Sequence, residues 1–175
     1  MRAAIALASF LALAACKENS ANLALPDPLE LTEDAAGHYC QMFILEHEGP
    51  KAQVFLAGMD NPLWFSQVRD GLAYLLSPEQ DGEVRVLYVN DMALANSWSD
   101  PGTNNWINAN DAFYVLGSDA IGGMGAPEVV PFAREADAMA FAKTRGGRVA
   151  ALTDIPVAEV LAPVEFNSAD QEPDT

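Results

Sequence analysis

Gly82-Glu83-Val84-Arg85-Val86-Leu87-Tyr88-Val89-Asn90-Asp91 and, further along, Gly146-Gly147-Arg148-Val149-Ala150-Ala151-Leu152-Thr153-Asp154 share one pattern. Each opens on glycine, runs through an Arg-Val strand and ends in a polar residue followed by Asp. Working outward, each follows a stretch of helical period. In Pro62–Leu76, residues Leu63, Trp64, Val68, Leu72, Leu75 and Leu76 recur at i, i+3/i+4 spacing, and Ser77-Pro78 and Asp81-Gly82 break the run. In Arg134–Thr144 the recurrence is carried by Ala136, Met139, Ala140 and Lys143, and Gly146-Gly147 stops it. Extended pieces precede both: His38–His47 and Ala52–Leu56 before the first, Ala112–Leu116 and Glu128–Phe132 before the second. The alternative is chance likeness between short Val/Arg strands; the shared order favours duplication. The expected fold class is α+β, with two related small ββαβ units, each a short antiparallel-type sheet with one helix. Units this small are marginal alone and are expected to share an interface or lean on a ligand.

The expected divisions are a leader at residues 1–15, a linker at 16–32, a first unit at 33–100, a second at 101–161 and a flexible acidic tail at 162–175. Composition sets the class of partner. The 175 residues carry 9 Lys+Arg against 25 Asp+Glu, a formal charge of -16. Such a surface is repelled by phosphate backbones, which excludes nucleic acid as a partner. Half the residues are hydrophobic, too many for a chain disordered throughout. Phosphate-binding loops, paired acid/base carboxylates and a serine triad give no signal; Gly122-Gly123-Met124-Gly125 lacks the Lys and Ser/Thr that a phosphate loop needs.

At the N-terminus Met1-Arg2 precedes an uncharged run, Ala3–Ala15, that is apolar except for Ser9. This is the shape of a secretory leader rather than a span. It ends in Leu13-Ala14-Ala15-Cys16, which resembles the lipobox of bacterial lipoproteins, with Cys16 as the lipidated residue. A plain signal peptide with a cysteine near its cut is the alternative. Two acyl chains would anchor the protein stably on the periplasmic side of a membrane. Lys17, rather than Asp, resembles the class destined for the outer membrane.

With Cys16 acylated, Cys40 is the remaining thiol, and an unpaired thiol in an oxidising compartment needs burial or a task. It sits in Gly37-His38-Tyr39-Cys40-Gln41-Met42-Phe43. Read as a strand, this places His38, Cys40 and Met42 on one face, because side chains alternate. Thiolate and thioether suit Cu(I) and ill suit hard cations. One Cys with His38 and His47 falls short of a closed zinc site. Met124, among three glycines, offers a further soft sulfur or else plugs a core gap. Met59 is a weaker case of the same kind.

The lipobox, His38-Tyr39-Cys40-Gln41-Met42, the Phe65 helix and Gly122-Gly123-Met124-Gly125-Ala126-Pro127-Glu128-Val129-Val130-Pro131-Phe132 together resemble the NosL family of copper-chaperone lipoproteins. The likeness covers roughly residues 33–155 plus the lipobox. It implies Cu(I) held by Cys40 and Met42 of a Cys-x-Met motif, with His38 and Met124 as candidates for a third ligand. It also implies two ββαβ domains with a topology akin to organomercurial lyase. The implied partners are apo-nitrous oxide reductase, whose multicopper centre receives the metal, and its membrane-associated maturation complex. A homodimer linked through a shared ion is a further partner state. Gln41 stands where many members carry Gly. Two other readings compete with this non-enzymatic carrier: a thiol enzyme with Cys40 as nucleophile and His38 as base, and an acidic lipoprotein scaffold in which Cys40 is merely buried.

Overall fold

A computed structural model describes residues 24–164 of the chain. The expected leader, Cys16 with its expected lipid, and the part of the tail beyond Val164 lie outside the described residues. The elements run β1 (Ala52–Leu56), β2 (Leu63–Phe65), α1 (Val68–Leu76), β3 (Val84–Asn90), β4 (Trp106–Asn108), β5 (Phe113–Leu116), β6 (Val130–Phe132), α2 (Glu135–Arg145), β7 (Arg148–Ala151) and α3 (Val157–Leu161). Among the described residues the strands pair antiparallel, in the orders β2-β1-β3-β4 and β6-β5-β7. The fold is thus α+β, and β1-β2-α1-β3 and β5-β6-α2-β7 repeat one topology, each with its first strand in the centre. β4 lies beyond residue 100 but pairs with β3 in the first sheet.

Two expectations about the first unit are corrected. His38–His47 is not a strand, and the partner of β1 is Leu63–Phe65, taken from the front of the run read as helix. The reason lies in β1, whose five residues are all buried. A buried strand must satisfy its backbone groups along both edges. The chain turns at Ala57–Asn61, and Leu63-Trp64-Phe65 supplies the second edge, so the helix starts only at Val68. A three-residue apolar run fits either period, which is why spacing misplaced it.

Alternation then sorts the side chains. Ala52, Val54 and Leu56 of β1, with Leu87 and Val89 of β3, pack against Phe65 and against Val68, Leu72 and Tyr74 of α1. This core continues into the second unit through Ala109, Ala112, Tyr114, Leu116, Val129 and Ala150. The two units share this core, and the second adds one of its own, where Val115, Val130 and Phe132 pack against Ala138 of α2. At the centre of the shared core Tyr114 is fully buried and donates its hydroxyl to the carbonyl of Ala109 at 2.8 Å. On the other face of the first sheet, residues 24–31 form a cover. The Gln53 amide exchanges hydrogen bonds of 2.9 and 3.0 Å with the backbone of Leu29, and the Tyr88 hydroxyl donates to Pro26. The described part of the expected linker is therefore packed. Without it Gln53 and Phe55, both buried, would lose their cover on that face.

Between the units lie charges that the sequence alone does not place. Lys51 is fully buried, and its ammonium donates to the carbonyls of His47, Glu48 and Ser66 at 2.6, 2.9 and 3.2 Å. Burial lowers its pKa to about 8, against the pull of Glu128 and Glu48. Glu128 is also buried; its Oε1 accepts from the backbone N–H groups of Arg69 and Val129, while Oε2 has no partner. Burial pushes its carboxyl up to about 8, so it holds its proton at neutral pH. Arg69 spends its guanidinium on the carbonyls of Val160 and Ala162, tying α3 to α1.

Two outcomes are expected. Replacing Lys51→Met strands three carbonyls and lowers stability by about 3 kcal/mol or more, read by denaturant unfolding. Glu128 keeps its proton in the folded state where the unfolded chain, with a value near 4.5, has lost it. Its contribution is therefore complete below pH 4.5 and disappears as pH rises through about 8. Glu128→Gln keeps the acceptor at Oε1 and should flatten the pH dependence of the melting temperature across that window.

Candidate metal site

The Cys40 segment is a tight reversal. Ala36 bridges Phe43, Gly37 donates to the carbonyl of Met42 at 2.9 Å, and Gln41 donates to that of Gly37 at 2.9 Å. In place of strand alternation, chain reversal gathers Cys40 and Met42 into one turn. Gly37 is required beneath it: a Cβ there would stand 2.5 Å from Cys40 Sγ. Gln41 adopts φ 57°, left-handed backbone that glycine takes without strain. Its amide offsets part of that cost by donating to the carbonyls of His38 (2.8 Å) and Gly37 (3.2 Å). The same hydrogen bonds turn the Gln41 side chain back onto its own loop.

Cys40 is a free, half-buried thiol whose Sγ stands 3.7 Å from Ser66 Oγ. Deep burial therefore does not account for its being unpaired. Met42 is exposed at 42%. His38 is directed elsewhere: its Nε2 lies 3.3 Å from Asp81, and its ring packs on Tyr39, Phe65 and Tyr74. As it stands, the imidazole serves the α1–β3 connection.

Met124 belongs to the second unit, in a loop closed by the Ile121–Pro127 bridge and by the Gly122 N–H donating to Ala126 at 2.8 Å. That loop docks on the first unit. The Met124 N–H donates to Gln67 Oε1 at 3.3 Å, and the Gly123 carbonyl lies 3.1 Å from His47 Nδ1. The approach is so close that a Cβ on Gly123 would meet His47 Cβ at 2.5 Å and the Glu48 carbonyl at 2.8 Å. Ser66 and Gln67, between β2 and α1, thus touch Cys40 on one side and hold the Met124 loop on the other. Cys40 and Met42 come together in one turn, and Met124 is brought to the same junction, half-buried.

Sequence reasoning missed Gly37, Lys51, Ser66 and Gln67. A Ser-Gln pair before a helix and a Lys before a strand carry no distinguishing signal. Gln41, noted as a departure, was the one cue to a turn. Among the described residues no three of His, Cys, Asp and Glu cluster closely enough to hold an ion. The turn instead offers a thiol and a thioether two residues apart, donors that select a soft monovalent metal.

The chain can now be set beside known proteins. A family model, NosL, matches residues 28–160. The chain is 52% identical over 169 residues to the copper-binding lipoprotein NosL of Achromobacter cycloclastes, covering 96% of this chain and 86% of that protein. It is 35% identical over 130 residues to the copper-binding lipoprotein NosL of Stutzerimonas stutzeri, covering 74% and 66%. The crystal structure of the copper chaperone NosL from Shewanella denitrificans superposes with a TM-score of 0.69 at 32% identity, over 74% of this chain and 95% of that one. The turn, the docked glycine loop and these likenesses agree: the chain belongs to the NosL family.

Proposed function

We propose that this chain carries Cu(I) outside the cytoplasm and hands it on for assembly of the multicopper centre of nitrous oxide reductase. The observation that carries the reading is the free, half-buried Cys40 thiol sharing one hydrogen-bonded turn with the exposed Met42. Support comes from relatives named as copper-binding lipoproteins and a copper chaperone. Cys40 and Met42 are the proposed ligands, with Met124 from the facing loop and His38 as candidates for a third. The chain is an assembly protein and not an enzyme on this reading. A lipid on Cys16 holds it on the periplasmic side, at the outer membrane. The recipients are apo-nitrous oxide reductase and its membrane-associated maturation complex, and two copies can share an ion.

The geometry suits transfer better than storage. Two sulfurs on an exposed turn leave coordination places open, so an incoming ligand binds before the outgoing one leaves; a closed four-ligand site has no such opening. Because the ligand is the thiolate, protons compete with the metal, and affinity falls as pH is lowered.

Mass spectrometry of the Cu(I)-loaded chain checks this. One copper per chain is expected, lost in Cys40→Ala and weakened in Met42→Ala, with Asp111→Asn unchanged. Copper retained after both sulfurs are removed would refute the reading. A second outcome concerns the turn. Gln41→Gly removes left-handed strain of about 1 kcal/mol but also loses two amide hydrogen bonds and frees the unfolded chain. Stability is expected to change little, while release of copper to a small chelator, followed by stopped-flow absorbance, speeds up as the turn loosens.

A further inference from the structure

The turn that carries Cys40 and Met42 also leaves large apolar side chains facing solvent. Tyr39 is 54% exposed, Phe43 51% and Leu45 40%, beside Met42 at 42%. Four large apolar groups on a single seven-residue segment form a patch, whereas scattered exposed apolar residues need no explanation. The fold does not need them outside. Ile44, between Phe43 and Leu45, is fully buried with Leu31 and Ala35 and anchors the segment, together with the edge of the Tyr39 ring against Phe65.

The surroundings are acidic. Burial first, and then the charges of Asp70 and Asp81, raise the Tyr39 phenol above its ordinary range. Glu79 and Asp81 line the same cleft as Tyr39, and Glu46 follows Leu45 directly. The imbalance belongs to this unit. From residue 24 to 100 three cations accompany thirteen acids. Lys51 and Arg69 of those three are buried on carbonyls, and Arg85 donates to the carbonyl of Ala24. From 101 to 164 four cations accompany seven acids, and Arg134, Arg145 and Arg148 pair with Asp137, Asp119 and Glu159. The strong field therefore lies on the unit that bears the turn.

We infer that Tyr39, Met42, Phe43 and Leu45 form the centre of a docking surface for a protein with an apolar patch inside a basic rim, seated over the metal turn. The inference rests on the carrier reading and names the surface through which it acts. Apolar contact fixes the partner over the sulfurs, and the acidic rim speeds and orients the encounter. Phe43 and Leu45 stand one and three residues from Met42, so docking on them and ligand exchange occur at one place.

The test uses the full chain loaded with Cu(I), with apo-nitrous oxide reductase as the protein probe and bathocuproine as the small chelator. In Phe43→Ser/Leu45→Ser, transfer to the protein is expected to slow about tenfold or more, while transfer to the chelator and copper stoichiometry stay as they were. Wild-type transfer to the protein should slow as salt rises, and Glu46→Gln/Glu79→Gln should weaken that dependence; Asp111→Asn/Asp154→Asn, on the other unit, should not. Unchanged protein transfer in the serine variant overturns the inference, as does an equal effect from the control pair. Loss of self-association of the loaded chain in the serine variant, seen by sedimentation with protein transfer intact, also overturns it in favour of a second copy. Failure of the wild-type chain to bind copper refutes the carrier reading instead.

Discussion

A single ammonium group, that of Lys51, holds together what the rest of the molecule needs to keep apart from water. It gathers the carbonyls of His47 and Glu48, at the exit of the Cys40 turn, with that of Ser66, which lies under the thiol. Remove the charge and three acceptors lose their donor, the Ser66 carbonyl deep in the protein and the other two partly buried. The same carbonyl rim receives Gly123 of the opposite unit, so the cation also prepares the seat on which the Met124 loop rests. Burial lowers the pKa of this amine, and the nearby acids oppose it, so that at about 8 it is still charged near neutral pH.

The contrast with Glu128 is instructive. Both groups are buried at the seam between the units, yet one is held charged and the other neutral. Lys51 has an acceptor for each of its three protons. Glu128 has donors on one oxygen only, and the other oxygen has none. Burial is the largest influence on both and works against charge; the nearby acids offset part of it at Lys51, and two backbone N–H donors offset part of it at Glu128.

How far the sequence could be read follows the same lines. The repeated Arg-Val strands, the helix stopped by Gly146-Gly147 and the second strand pair were legible, because each is written locally in period and punctuation. The partner of β1 was not, since Leu63-Trp64-Phe65 fits both periods and only the need to pair a buried edge chooses between them. Cys40 and Met42 were legible as chemistry, through the scarcity of thiols and the softness of the donors. Their geometry was not, because one residue, Gln41, in a left-handed conformation converts an apparent strand into a reversal. His38 looked equivalent to Cys40 by spacing, and it is the turn that sends its ring to Asp81. Ser66, Gln67 and Lys51 act only through neighbours distant in the chain, and no local pattern announces them.

The repeat has a consequence for its two inter-strand links. Met59 lies between β1 and β2, and Met124 lies between β5 and β6, so the two thioethers occupy the same station of the duplicated plan. Only the later one is folded inward, onto Gln67; the earlier stands 47% exposed with no such anchorage. Doubling a simple motif supplied the same link twice, and apposition of the halves made the copies unequal. One became part of the seam between the units while its twin stayed at the surface.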